Sequence, residues 1–323
     1  MILNQYSKKM EMTFEDKIEK SIQNFEYIDK PDYTKSEINN YADFVELTVL
    51  FVIENGVTFG DIQDKFFGET ENENTEKRDA EEAFLNNIFE IIKERVYLYN
   101  SDYPFVYQPN TRHLQLKTKL SFKNKLYLSL LISSNLNIFN KFTTDLTTDF
   151  EKVSFVVLKE FLPQKAEIRD FGKNSQYKGT AVEKIKQLAR DLNLEIKDYE
   201  LSCVNERNSQ ERGLDVVGWL PFSDKCGNQI ILLCQCACGK NYESKQHNTR
   251  RFKNYIDFYK TNPQHTMFIP YSLINISKKK FYHSDLIEDD YLVFERKRII
   301  EYHNDNSFEN SVSFKIVNKI LGK

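Results

Sequence analysis

The sequence predicts a mixed fold, α+β or α/β, in which an N-terminal all-α bundle precedes a C-terminal domain with the element order αβββαβ. Two observations predict this division. Between residues 36 and 163, apolar side chains recur at the three- and four-residue spacing of amphipathic helices. Residues 213–245 instead contain two short apolar runs, 213–220 and 229–236, separated by a cluster of Pro, Ser, Asp, Gly and Asn residues. This second pattern predicts a β-hairpin.

The composition limits the location of the protein. With 323 residues, 40% of them hydrophobic and 14% aromatic, the chain is long enough for two domains with separate cores. Its most apolar run, residues 44–53, is too short to cross a membrane, and the first residues lack the apolar segment of a signal peptide. Five cysteines, three of them within residues 234–238, favour a reducing compartment. We therefore expect a cytoplasmic protein that makes no membrane contact.

The first domain is expected to be α-helical and to span residues 1–163. Its helices are predicted over residues 36–54, 60–67, 80–99, 120–140 and 148–162, with an irregular segment over residues 101–118. Thr148 and Glu151 have the spacing of a capping box at the start of the last helix. We expect residues 36–163 to fold alone and to bind a partner protein, because this part has no catalytic constellation. An ATPase, a second subunit or a second copy of this chain would be such a partner.

The second domain, residues 177–323, follows a linker over residues 164–176. Its pattern predicts a helix, three antiparallel strands, a second helix and a further strand. The helices are placed at residues 178–194 and from Lys240 onward, and the strands at 195–204, 213–220, 229–236 and 266–271. A weaker pattern predicts an edge strand at 291–294 and a helix at 295–303, and residues 1–35 and 304–323 have no assignment.

Polar residues interrupt the apolar pattern of this second domain at three positions. Asp215 lies in the first strand of the hairpin, and Gln235 lies near the end of the second. A buried carboxylate or amide is costly unless something binds it. Lys245 belongs to the inward stripe of the following helix, which is formed by Tyr242, Lys245, Thr249, Phe252, Ile256 and Tyr259. We expect these three polar groups to converge at one end of the hairpin.

The order of elements and these residues resemble the restriction-endonuclease-like fold of the PD-(D/E)XK nucleases, over about residues 170–300. The glutamine is similar to the one found in the Mrr-like branch. The resemblance implies that Asp215 is the strand acid, that Gln235 takes the usual glutamate position and that Glu183 is the acid of the first helix. No proline precedes Asp215, and Ala237 stands where a lysine is expected. Nucleases of this fold can carry that lysine on the next helix, which favours Lys245 over its competitor Lys240.

The resemblance implies a Mg2+-dependent DNA endonuclease in bacterial defence against foreign DNA. Mg2+ or Mn2+ would be held by Asp215, the side-chain oxygen of Gln235, the backbone carbonyl of Cys236 and Glu183. Lys245 would orient water or stabilise charge on the phosphate. The net charge of −3 argues against indiscriminate polyanion binding, but a local group of basic residues could hold phosphates. These candidate nucleic-acid-binding residues are Lys240, Arg250, Arg251 and Lys253.

Each of these residues also has a purely structural interpretation. Glu183 could only cap its helix with Thr180, Asp215 could pair with an arginine, and Gln235 could bridge backbone groups. Lys245 could extend along the surface, and the basic residues could form a solvated helix face. Two other functions stay open: a nuclease fold that binds nucleic acid or a protein without catalysis, and a zinc module.

The zinc module would use Cys234, Cys236 and Cys238. Neighbours on one face of a strand lie about 6.6 Å apart, which is wide for two thiolates on one zinc ion. The C-x-C spacing also differs from that of structural zinc sites. We therefore expect these cysteines to pack as small apolar side chains, without zinc.

Overall fold

The computed structural model describes residues 12–26, 38–52, 55–68, 75–172, 175–204 and 213–322. Over these residues the chain has a mixed α+β fold in which helices precede a mixed sheet. Of residues 1–35, for which the sequence gives no assignment, the structure describes residues 12–26. None of the helices in the described ranges is long and apolar enough to cross a membrane.

The first half of the chain contains the predicted helices and one hairpin. The elements are α1 (Phe14–Glu26), α2 (Ile38–Val52), α3 (Phe59–Phe67), α4 (Thr75–Tyr99), β1 (Phe105–Gln108), β2 (His113–Leu116), α5 (Phe122–Ser133) and α6 (Thr143–Phe161). The helices predicted over 36–54, 60–67 and 80–99 are confirmed as α2, α3 and α4. The prediction of an all-α region is wrong, because β1 and β2 form an antiparallel pair within the segment expected to be irregular.

Two helix boundaries in this half differ from the prediction. Ser121 and Asn124 form a capping box at the start of α5, which ends well before residue 140. Helix α6 begins at Thr143, so Thr148 is already internal and its hydroxyl donates to the carbonyl of Thr144 at 2.8 Å. The capping box predicted for Thr148 and Glu151 is therefore wrong. Glu151 is in the body of the helix.

The second half of the chain supplies the main sheet and shorter helices. The elements are β3 (Glu167–Asp170), α7 (Ala181–Asp191), β4 (Glu195–Ile196), α8 (Asp198–Ser202), β5 (Val216–Trp219), β6 (Ile231–Cys236), α9 (His247–Arg250), α10 (Phe252–Tyr255), β7 (Ile256–Asp257), β8 (Gln264–Phe268), β9 (Ile274–Asn275), β10 (Lys280–Phe281), β11 (Tyr291–Phe294), α11 (Arg296–Tyr302) and α12 (Val312–Leu321). The predicted hairpin is confirmed as β5 and β6, and the edge strand and helix near residues 291–303 as β11 and α11.

Two assignments in this half are wrong. The segment 195–204 forms only the short strand β4 and then the helix α8, in which Tyr199 is 80% exposed. The first strand of the sheet is instead β3, inside the predicted linker. It pairs only with β5, and an edge strand with charged residues lacks the apolar pattern that identifies a buried strand.

The main sheet has the strand order β11-β8-β6-β5-β3. Strands β3, β5 and β6 are antiparallel, whereas β6, β8 and β11 are parallel. A parallel pair requires a crossover connection, and a 3-10 turn, Tyr242–Lys245, followed by α9 and α10 supplies it between β6 and β8. This connection is broken into short turns rather than the continuous helix predicted from Lys240. The expected inward stripe is kept at Tyr242, Thr249, Phe252 and Ile256, which are buried, while Tyr259 is exposed.

Helices cover both faces of the sheet. Helix α6 lies on the face that carries Val216 and Cys234, and the N-terminal helices, α11 and α12 share this core. Gly218 allows the close approach of α6, because a Cβ there would lie 2.8 Å from Cδ1 of Leu162. Helices α7 and α10 cover the opposite face, which carries Val217 and Leu233. Since one continuous core joins α6 and the preceding helices to the sheet, a boundary at residue 163 cuts through it. Independent folding of residues 36–163 stays a prediction.

A buried network of charges, the Arg296 network, also connects the two halves. Asp43 of α2 lies 2.7 Å from Arg95 of α4 and 2.7 Å from Arg296 of α11. Glu46 lies 2.8 Å from Arg95 and accepts a hydrogen bond from the hydroxyl of Tyr127 at 2.9 Å. Burial opposes ionisation of Asp43, but the charges of Arg296 and Arg95 hold its pKa below the usual value. A fragment that ends at residue 163 would leave both acids with one arginine.

Candidate functional site

Asp215 lies immediately before β5, at a bulge in the sheet. Its N–H donates to the carbonyl of Cys234 at 2.9 Å, although Cys234 is already the register partner of Val216. Two residues of one strand therefore face one residue of the next, which is the arrangement of a β-bulge and re-aims a side chain. The Oδ2 atom of half-buried Asp215 accepts a hydrogen bond from the N–H of Cys236 at 2.7 Å. This hydrogen bond fixes the carboxylate at the end of the sheet where β6 finishes.

Glu151 brings a second carboxylate to the same place. A Cβ built on Gly172 would lie 3.1 Å from Oε2 of Glu151 and 3.3 Å from Oδ1 of Asp215. The N–H of Gly172 donates to the carbonyl of Asp215 at 3.0 Å, which holds the glycine in position. One acid from α6 and one from the bulge thus both approach Gly172, where a Cβ would crowd their oxygen atoms. We call this arrangement the carboxylate cradle.

Glu151 was missed among the candidate site residues. On α6 it shares a stripe with Ser154 and Leu158, at helical spacing, and both of these are buried. A carboxylate in line with two residues that face the sheet is the signal that could have identified it. Two predictions conceal this signal: the capping box of Thr148 and Glu151, and the domain boundary at residue 163.

The three cysteines after the bulge lie beside the carboxylate cradle. Burial raises the pKa of the Cys236 thiol, and the charge of Asp215 raises it further. Burial also raises the pKa of the Cys238 thiol, while Lys245 lowers it and Glu151 and Asp215 raise it. The charges of Lys245, Glu151 and Asp215 therefore all act on one thiol, that of Cys238, just after β6.

The two candidate lysines have different surroundings. Lys245 ends the 3-10 turn after β6 and is half-buried, and no hydrogen bond or ion pair of its ammonium group falls within the described residues. Lys240 is exposed and lines a cavity of about 100 Å³ together with Asn39 and His283. Neither carboxylate of the cradle lines that cavity. The charge of Lys245 acts on the Cys238 thiol together with those of Glu151 and Asp215, and the choice of Lys245 over Lys240 stays a prediction.

Gln235 is not brought to the carboxylate cradle. Side chains alternate along β6, and Leu233 and Ala237 belong to cores other than the one that holds Cys234 and Cys238. Gln235 therefore points to the face opposite α6, whereas the bulge turns Asp215 toward α6. The Oε1 atom of Gln235 is buried and has no hydrogen-bond partner among the described residues. Leaving a buried acceptor unpaired costs on the order of 1–3 kcal/mol.

Glu183 is also separate from the carboxylate cradle. Its Oε2 atom accepts a hydrogen bond from the N–H of Thr180 at 2.7 Å, and its own N–H donates to the Thr180 hydroxyl at 3.3 Å. This is a complete capping box on α7, the helix that packs on the face opposite α6. The helix that precedes the first strand of the sheet is α6, which carries Glu151, whereas α7 with Glu183 follows that strand.

Arg250, one of the candidate nucleic-acid-binding residues, is held against the loop before β11. Its Nη2 atom donates to the carbonyl of Asp289 at 3.0 Å and lies 3.7 Å from the carboxylate of Glu288. Its guanidinium group also lies 5.4 Å from the ring centre of Tyr291. These contacts support a structural role for Arg250.

The other three basic candidates differ in exposure. Lys240 and Arg251 are exposed, whereas Lys253 is half-buried. Burial lowers the pKa of His265 to about 4, and the charges of Lys253 and Arg250 contribute. Lys253 and Arg250 therefore lie near His265 of β8. Of the four candidates, Lys240 and Arg251 are exposed to solvent.

The donor atoms of the carboxylate cradle fit Mg2+ or Mn2+. Carboxylate oxygens are hard ligands, and Mg2+ is commonly bound by one or two carboxylates together with waters and a substrate phosphate. Among the described residues there is no group of three His, Cys, Asp or Glu side chains arranged for a metal ion. Glu151 and Asp215 would therefore be the protein carboxylates of such a site. Gln235 and Glu183 do not join them, and the backbone carbonyl of Cys236 as a ligand stays a prediction.

Comparisons of this chain with protein-family models, with curated proteins and with solved structures find no match. The functional conclusion therefore depends on the residues and on the geometry of the site.

Proposed function

We propose that this protein is a metal-dependent nuclease that hydrolyses phosphodiester bonds of DNA at the carboxylate cradle. The observation that carries the proposal is the approach of Glu151 and Asp215 to the same residue, Gly172. Carboxylate oxygens are ligands that Mg2+ and Mn2+ prefer, and two carboxylates near one residue can bind one such ion. Such a pair, half-buried at the end of the sheet where β6 finishes, is favourable for binding a metal ion and a phosphate.

The order of elements around the cradle supports the same conclusion. Helix α6, the antiparallel strands β3, β5 and β6, the crossover through α9 and α10, and the parallel strand β8 follow one another. This is the order that the resemblance to the PD-(D/E)XK nucleases implies. Helices α7 and α8 are inserted between the first two strands, and β11 extends the sheet beyond β8.

The residues of the site divide the chemistry among them. Asp215 and Glu151 would hold Mg2+ or Mn2+, which supplies an activated water and neutralises charge on the phosphate when bound. The N–H of Cys236 orients the Asp215 carboxylate through its 2.7 Å hydrogen bond. Lys245 would donate to the negative charge that develops on the phosphate oxygens. Gly172 has no Cβ, which allows both carboxylates to approach the backbone at this position.

A second candidate is a nuclease fold that binds DNA or a partner protein without cleaving. One observation favours it: Gln235 lies on the face opposite the carboxylate cradle, so the site has one donor fewer than the resemblance implies. In either case the resemblance suggests bacterial defence against foreign DNA, with a partner ATPase or subunit bound through the N-terminal helices.

The test is cleavage of plasmid, linear duplex and single-stranded DNA by the full-length protein in Mg2+, Mn2+ or EDTA. We expect metal-dependent cleavage that Asp215→Asn and Glu151→Gln each reduce about a hundredfold or more, with DNA binding retained. Glu183→Gln is the matched control, because glutamine also completes a capping box, and it should cleave at the wild-type rate. Cleavage that survives both cradle substitutions, or that persists in EDTA, would refute the proposal. Binding by the wild type without cleavage in either metal would favour the second candidate.

A further inference from the structure

Strands β9 and β10 form a small hairpin with three adjacent lysines at its tip. The strands pair Lys280 with Asn275, and the N–H of Lys278 donates to Oδ1 of Asn275 at 2.8 Å. Lys279 has a φ of 52°, in the left-handed region, and its N–H donates to the carbonyl of Ile276 at 3.1 Å. All three lysines are exposed. A tight, hydrogen-bonded turn therefore presents three positive charges to solvent. We call residues 274–281 the lysine hairpin.

Helix α4 holds the lysine hairpin from behind. The hydroxyl of Ser277 donates to Oε1 of Glu94 at 2.9 Å, and the hydroxyl of Tyr282 donates to Oε2 at 2.7 Å. Both oxygens of this carboxylate are thus directed at hydroxyl groups. Within the described residues, none of the three lysines makes an ion pair. The hairpin is held in a fixed orientation, and its charge is not neutralised by the ion pairs of the described chain.

The lysine hairpin leaves the sheet at the edge that carries the carboxylate cradle. Cys236 at the end of β6 is the register partner of Phe268 at the end of β8, and the hairpin follows β8 after a short connection. The base of the hairpin, at Leu273 and His283, lines the same cavity as Lys240. Lys240 and the residues that flank the hairpin therefore border one cavity, near the end of the sheet where β6 and β8 finish.

We propose that the lysine hairpin is a phosphate-binding arm that holds the DNA backbone beside the carboxylate cradle. This inference rests on the proposed function, because it takes DNA as the ligand. Lysines that bind phosphates release condensed counterions, which makes affinity fall steeply with salt. Lysine contacts of this type position a duplex without reading its sequence. Exposed lysines on a fixed turn, at the edge that holds the cradle, have the properties of such an arm.

The test is the salt dependence of duplex binding by the full-length Asp215→Asn protein, in which cleavage is not needed. The variant Lys278→Ala/Lys279→Ala/Lys280→Ala should reduce the slope of log affinity against log salt by about 0.9 for each phosphate that is no longer neutralised. If all three lysines bind phosphates, the slope should fall by up to about 2.7. The matched control Lys20→Ala/Lys141→Ala/Lys315→Ala removes three exposed lysines elsewhere on the chain and should leave the slope unchanged. Arginine at all three hairpin positions should restore the slope.

Each result of the salt titration supports or overturns the proposal that the lysine hairpin binds phosphates. Equal slopes for the hairpin variant and the control would overturn the proposal. So would failure of the parent protein to bind any DNA while an acidic polypeptide binds the hairpin, because the partner would then be a protein. A reduced slope in the hairpin variant, combined with no cleavage by the wild type, would support the arm and refute the nuclease proposal. The two conclusions can therefore fail separately.

Discussion

Asp43 and Glu46 lie in the closed core between α2, α4 and α11, whereas Glu151 and Asp215 lie half-buried at an edge of the sheet. In the core, each carboxylate lies within 2.8 Å of an arginine, and two arginines balance two acids. At the edge, the two acids converge on the space beside a glycine. A buried charge that loses its partner is strongly destabilising. The comparison therefore contrasts acids whose arginine partners join the two halves of the chain with acids that, under the proposed function, would bind a metal ion.

The largest expected effect comes from breaking the Arg296 network. Arg296→Met would leave Asp43 and Glu46 with Arg95 alone, so we expect the free energy of unfolding to fall by on the order of 3–5 kcal/mol in urea titrations. Lys297→Met is the control, because Lys297 forms only a surface pair with Glu301 at 3.6 Å and should cost less than about 1 kcal/mol. Similar losses in the two variants would show that the network does not join the halves of the chain.

The next effect concerns the lysine of the edge site. Lys245→Ala should reduce cleavage about a hundredfold or more while leaving the fold and DNA binding largely intact, because the missing group stabilises charge in the transition state. Lys240→Ala should lower affinity and leave the rate at saturating DNA nearly unchanged. Rates and binding are measured on the same duplex. Full activity in Lys245→Ala and none in Lys240→Ala would reverse the assignment of the two lysines.

A pH titration tests the protonation of a further buried acid of the core, Glu295. Burial raises the pKa of Glu295, next to Arg296, to about 7. Because its folded pKa exceeds the unfolded value of about 4.3, the folded state binds the extra proton, and its stability should fall as the pH rises from about 4.3 to 7. The slope due to this residue is at most about 1.4 kcal/mol per pH unit. Glu295→Gln should remove that slope in urea titrations, and an unchanged slope would assign the pH dependence to other groups.

The smallest expected effect is on the stability of the edge site. Without divalent metal, Glu151→Gln should change the free energy of unfolding by less than about 1 kcal/mol, because Glu151 is half-buried. Added Mg2+ should raise the unfolding temperature of the wild type, because a ligand that binds only the folded state stabilises it. The variant should lose this response. A substantial loss of stability without metal would place Glu151 with the structural acids.

Much of the fold could be predicted from local patterns. The hairpin of β5 and β6 and the helices α2, α3, α4 and α7 have clear periodicity or capping residues, and the structure confirms them. Strand β3 has neither, because a short, charged edge strand is stabilised by its partner rather than by its own pattern. The segment 195–204 shows the opposite error, since its apparent alternation coincides with the short helix α8.

The candidate site was predicted less completely, for physical reasons that involve particular residues. Asp215 could be identified because a carboxylate interrupts an apolar strand. Its grouping with Gln235 assumed a regular strand, and a bulge that changes the direction of one side chain has no signature in the hydrophobic pattern. The partnership of Asp43 with Arg296, and the approach of Glu151 to Asp215, join residues far apart in the chain. Such contacts are set by the packing of α6 and α11, which no local pattern contains.

The five thiols of this chain divide by accessibility and so supply a chemical reporter of how the sheet opens. Cys203 and Cys226 are exposed, Cys236 is half-buried, and Cys234 and Cys238 are buried. An alkylating reagent should therefore reach two thiols while the fold is intact. Half-buried Cys236 should react more slowly, and buried Cys234 and Cys238 only when the end of β6 separates from α6. The rate of that slower alkylation reports the frequency with which the edge carrying Asp215 opens, in the native protein and without an attached probe.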